Sequence, residues 1–151
     1  MAPADELAAL RDAGRLKEVP ADVDAARQMH EQASANLRLV REILDRTDDP
    51  NPRAAALLLW DGGAFALLAA ALVLAGFRVT NAVGHHRTAI EAVRIISGKG
   101  GLMTRIEALR RMRGQVMYDA TISDVRHVGD SLADVQELSA WVGGAIARSG
   151  R

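Results

Sequence analysis

The chain has no cysteine among its 151 residues, so disulfides and thiolate metal sites are excluded. It has no excess of either charge: Lys+Arg and Asp+Glu both number 19, which argues against a general nucleic-acid coat protein and leaves only a local basic patch open. Aromatic residues are scarce and alanine is abundant. β-branched residues are dispersed without alternating runs, so no strands are expected and the class reads as all-α. The first stretch, MAPADELAALRDAG, lacks the apolar core of a signal peptide, and the chain reads as cytoplasmic. The length suits one domain with a real core.

What the chain does have is one long apolar run, RAAALLLWDGGAFALLAAALVLAGF at 53–77, whose single charge between Ala54 and Ala75 is Asp61. A run of this length is either a membrane span or a helix buried on every side. The buried helix is the better reading. Nine residues from Ala54 to Ala70 are Ala or Gly, which favours close helix packing over lipid contact. Asp61 would cost roughly 2.5–3.5 kcal/mol at the centre of a bilayer on insertion scales. The flanking segments are amphipathic and need an apolar partner. Asn51 is placed as N-cap, Pro52 as first helical residue and Gly76 as the stop. Gly62-Gly63 marks a close crossing of another helix, with a local kink as the alternative.

Around this run the chain predicts further helices. Residues 4–13 form a short helix with Leu7 and Leu10 inward and Gly14 as stop, or else a frayed leader, so 1–19 is set apart from a helical domain at 20–148. Pro20 and Asp22 open a helix over 21–46, with Val23, Ala26, His30, Ala33, Leu37, Val40 and Leu44 on one seam. His30 there reads as a satisfied core histidine. Gly84-His85-His86 opens a helix to Ser97 with Ala89, Ile90, Val93 and Ile96 inward. Two adjacent histidines lack a third ligand at suitable spacing, so no metal is expected. SGKGG at 97–101 reads as a loop. The next helix, 102–118, puts Leu102, Ile106, Leu109 and Val116 on a stripe together with Arg113. Arg105, Arg110, Arg111 and Arg113 fall within nine residues. An arginine on an apolar stripe is expected to be paired or at an interface. His127 reads as a loop histidine, and Asp130 or Ser131 as the cap of a last helix to 148, with Leu132, Val135, Leu138, Val142 and Ile146 inward. The expected fold is an up-and-down bundle of five to six helices around a buried Ala/Leu-rich central helix.

Four features carry a resemblance: the long amphipathic opening helix, the central helix ending in LAGFR, the GHH helix start, and LRRMRGQVMYD before an amphipathic terminal helix. Together, over residues 20–147, they resemble the HEPN domains, small all-α prokaryotic proteins. The resemblance implies a homodimer with a composite site across its interface. In the ribonuclease members an Arg is followed, after four to six residues, by a His. Arg113 matches that arginine, but Tyr118 stands where the His is needed, and Arg113, Tyr118 and Asp119 resemble the Arg-x4-Tyr-Asp ending of nucleotidyltransferase-paired members. A phenol with a pKa near 10 is a poor general base at neutral pH.

The candidate catalytic residues are therefore Arg113 and Tyr118, and the candidate binding residues Arg110, Arg113, Asp119, Asp61, His85 and His86. No cofactor or metal is expected. The resemblance implies a nucleotide, an RNA or a protein such as a nucleotidyltransferase as partner, in a toxin–antitoxin or phage-conflict setting and away from membranes. A non-catalytic or weakly catalytic binding module is the leading expectation. The alternatives are a metal-independent endoribonuclease with an Arg/Tyr site and a purely structural helical protein in which Arg113 pairs with Asp61.

Overall fold

Helix α1, Pro3–Asp12, opens with proline in its first turn and ends where Gly14 turns the chain at φ 74°. The computed structural model describes residues 1–46, 48, 50–118 and 124–150, apart from the side chains of Met117 and Tyr118. After α1 come strand β1, Leu16–Glu18, and helix α2, Val23–Asp45. The central helix α3 spans Pro52–Leu74 and is followed by strand β2, Phe77–Val79. Helices α4, His85–Ser97, α5, Gly100–Tyr118, and α6, Val125–Ser149, complete the chain. The fold is an all-α bundle of six helices among the described residues.

The expectation of no strands is corrected by a short antiparallel ribbon, in which Leu16 pairs with Val79 and Glu18 with Phe77. Three-residue strands are too short to show alternation, which is why the pattern hid them. The ribbon brings the first residues onto the bundle. Leu10 and Leu16 are buried in the same core as the central helix. Of the two readings of residues 4–13, the helix is the one adopted.

The expected caps of α2 and α3 are present. The Asp22 carboxylate accepts from the Ala25 amide at 2.9 Å, and the Asn51 side chain accepts from the Ala54 amide at 3.0 Å. Each satisfies an amide that the first turn leaves without an intrahelical partner. Helix α3 packs against α2, α4, α5 and α6, and α2 also lies along α6. Its core residues include Leu59, Trp60, Leu67, Leu68 and Leu72. Full burial of each such leucine is worth about 1.5–3 kcal/mol. The helix is long and apolar enough to cross a membrane, with mean hydropathy 2.1, yet half of that window is buried inside the bundle.

The expectation that α3 is buried on every side is also corrected. Asp61 is exposed, and Leu57, Leu58, Phe65 and Ala66 are only half-buried. The neighbouring helices do not close around that strip. The Gly62-Gly63 pair meets both expectations at once. A side chain at Gly62 would fall 2.7 Å from Asn36 Nδ2, and one at Gly63 2.9 Å from Leu37 Cδ2, so α2 crosses here. The same stretch, Leu59–Ala64, is a π-helical insertion in the α-helix.

Two helix starts and one inward position differ from expectation, while α4 ends at Ser97 as expected. Gly98, at φ 68°, ends α4, and Gly100 and Gly101 belong to the first turn of α5 instead of a loop. A solvent-exposed first turn tolerates glycine. In α4 the buried residue is Ile95, with Ile96 half-buried. Helix α6 begins at Val125, capped by Asp124, so Asp130 and Ser131 lie inside it and His127 is an exposed helical residue. Val125, Val128 and Leu132 extend the inward stripe upstream, and Val128 is fully buried.

A charged and aromatic cluster where three helices meet

The π-helical insertion in α3 decides what Asp61 and its neighbours face. A π-turn relates residues five apart, so Trp60 and Phe65 come to the same side, with ring centroids 6.0 Å apart. Both meet the start of α4. The His86 ring lies 4.6 Å from Phe65 and 5.4 Å from Trp60, and His85 lies 4.3 Å from His86. A chain with so few aromatics gathers two of them here with two of its four histidines.

The Trp60 indole N–H donates to His86 Nδ1 at 3.3 Å. The neutral ring then carries its proton on Nε2, a tautomer assigned from this bond. Burial lowers the His86 pKa, as do the positive potentials of His85 and Arg113, against the opposing pull of Asp61. At neutral pH His86 is an uncharged hydrogen-bond donor at Nε2. Its Nδ1 lone pair is engaged, so it does not replace the general base that Tyr118 fails to supply.

Arg113 comes from α5. Its Nη2 lies 3.4 Å from both carboxylate oxygens of Asp61. Charge-assisted bonds run about 2.7–2.9 Å, so this is a loose ion pair and not a fork. Its Nε is buried without a hydrogen-bond partner among the described residues. Arg110, one turn earlier, is closed differently. It forks onto Glu107 at 2.9 and 2.7 Å, which holds the Glu107 carboxyl below its usual range. Of the sequence-derived candidates, Asp61, Arg113, His85 and His86 share one cluster, with Arg110 at its edge. Asp119 and the side chain of Tyr118 lie outside the described residues. His30 is elsewhere, half-buried, with Nε2 3.0 Å from the Ser139 carbonyl oxygen. No cluster of three metal-ligating side chains occurs among the described residues.

Sequence reasoning missed Trp60 and Phe65 as members of this cluster. It also missed a cleft of about 860 Å³ between α4 and α5, with Arg15, Arg87, Arg94 and Arg111 along it and Glu91 and Glu107 among them. Arg15 bonds Thr88 Oγ1 at 3.1 Å and Glu91 at 3.2 Å, fixing one end of the cleft. The spacing of Arg87 and Arg94, two helical turns apart, was the available signal. Compared with protein-family models, curated proteins and solved structures, the chain matches none of them.

Proposed function

We propose that this chain is a HEPN-like binding module. It acts as a homodimer in the cytoplasm, holds a phosphate-bearing ligand (a nucleotide or RNA) or a partner protein such as a nucleotidyltransferase, and cleaves RNA weakly or not at all. A toxin–antitoxin or phage-conflict role follows from the resemblance alone. The observation that supports the reading is the loose Asp61–Arg113 contact beside His86. A guanidinium held at 3.4 Å keeps donors for an incoming phosphate. Neutral His86 adds a donor at Nε2, and its Nδ1, engaged by the Trp60 indole, supplies no base. Ligand binding therefore needs less than catalysis does.

The experiment compares wild type, Arg113→Ala and Tyr118→Phe on labelled RNA without added metal, with binding measured in parallel. The expected result is binding that falls about tenfold in Arg113→Ala and no cleavage above background in any of the three. Robust cleavage by wild type that Arg113→Ala abolishes would establish the endoribonuclease reading instead. A second reading has its own support: Asp61 and Arg113 pair within one chain, as a purely structural role requires. Unchanged binding with lowered stability in Arg113→Ala would favour it.

A further inference from the structure

The cleft between α4 and α5 adjoins the Arg113 cluster, with the Arg110–Glu107 pair between them, but is lined by different residues of these helices. Along α4 it presents Arg87, Ile90, Glu91 and Arg94. These stand at i, i+3, i+4 and i+7, one continuous helical face. Along α5 it presents Thr104, Glu107, Ala108 and Arg111, at the same four spacings. Two parallel-running stripes of this kind make the two walls of a groove that a third helix fits.

The charges say what kind of helix. Glu91 is held by Arg15 at 3.2 Å, and Glu107 by Arg110 at 2.7 Å and Arg111 at 3.4 Å. Arg87 and Arg94 make no close ion pair among the described residues and both are exposed, Arg87 acting on Glu107 only through its longer-range positive potential. They stand about 10.5 Å apart along the axis. Between them Ala108 is exposed and Ile90, a core residue, shows only its edge, while Val83 at the mouth is fully exposed. No aromatic ring lines the cleft, so it offers bases no stacking platform. A bare phosphate would leave the exposed Ala108 and Val83 unused.

We propose that this groove docks an amphipathic helix of a partner protein, with two carboxylates seven residues apart facing Arg87 and Arg94 and apolar side chains between them against Ala108 and the exposed edge of Ile90. A carboxylate pair at that spacing repeats the two-turn separation of the arginines, so both ends engage at once. The groove's own glutamates, already neutralised, add no net repulsion at the centre.

The test is fluorescence anisotropy with a labelled synthetic helix carrying two glutamates seven residues apart and leucines on the face between them. Wild type binds it, and the Arg87→Glu/Arg94→Glu double variant binds at least about tenfold more weakly. The double variant in turn binds the peptide with both glutamates changed to lysine better than wild type does. Arg113→Ala leaves peptide binding unchanged, which separates this site from the proposed ligand cluster. Circular dichroism checks the double variant's fold; should it fail, Arg94→Gln alone carries the test with a several-fold loss. Equal wild-type binding of the glutamate and lysine peptides would overturn the proposal. So would a leucine-free acidic peptide binding as tightly, or inorganic tripolyphosphate binding more tightly than the peptide. A wild-type dimer split into monomers by the double reversal would assign the groove to a second copy and overturn it too.

Discussion

His86 couples the cluster to pH. Its folded pKa lies below the ordinary histidine value of about 6.5 because burial, His85 and Arg113 all disfavour the cation. The unfolded chain therefore takes up a proton at a higher pH than the folded chain does. The stabilising contribution of neutral His86 is complete above about pH 6.5 and is lost as pH falls below it. Urea midpoints should rise from about pH 5 to pH 7 in wild type, with a shallower rise in His86→Gln. Equal slopes would refute this, and an NMR titration of the imidazole gives the pKa directly. The members of the cluster were legible one by one, Asp61 as the lone charge in an apolar run and Arg113 as a cation on an apolar stripe. Their pairing was one of the sequence-derived alternatives and is present; what was not legible is that Trp60, Phe65 and His86 gather beside it, because that depends on how α3 and α4 are rotated about their axes.

At the scale of elements, the π-helical insertion is what periodicity reasoning misses. A uniform period of 3.6 puts Trp60 and Phe65 on different faces, whereas the insertion brings them together. The glycine pair signalled the site without revealing which of its two expected consequences would occur. The two glycines also differ in what surrounds them. Gly63 faces Leu37 and Val135 inside the core, while Gly62 faces the half-buried Asn36 amide, which donates to the Gly62 carbonyl at 2.9 Å. Gly63→Ala should cost about 1–3 kcal/mol through overpacking. At Gly62 the helix-propensity gain of about 1 kcal/mol offsets a lost hydrogen bond of similar worth, so Gly62→Ala should stay within about 1 kcal/mol of wild type. Chemical denaturation of the two variants tests this ordering, and a larger loss for Gly62→Ala would contradict it. Strong stripes such as Leu132, Val135, Leu138, Val142 and Ile146 were read correctly because every member is buried. Helix ends were read less well, since Asp124 and Asp130 are equally good capping residues by type.

For the whole molecule, the class was legible because amphipathic flanks around one apolar run admit few arrangements. The ribbon was not, because it joins segments distant in sequence. The HEPN resemblance predicts a homodimer, with Arg113, Gly114 and Met117 near the shared surface, the side chain of Met117 lying outside the described residues. Gly114 has open space where a side chain would stand. Sedimentation at micromolar concentration should show a dimer that Gly114→Trp weakens, and a clean monomer in wild type would rule the dimer out. The ribbon also bears on how the chain is made. Leu16 leaves the ribosome about 60 residues before its partner Val79. At roughly 5–20 residues per second, β1 waits several seconds with nothing to pair with. The bond from the Val19 amide to the Gly76 carbonyl and the burial of Leu16 therefore come after α2 and α3 have been synthesised. Residues 16–18 reach their place only after α3 has been made.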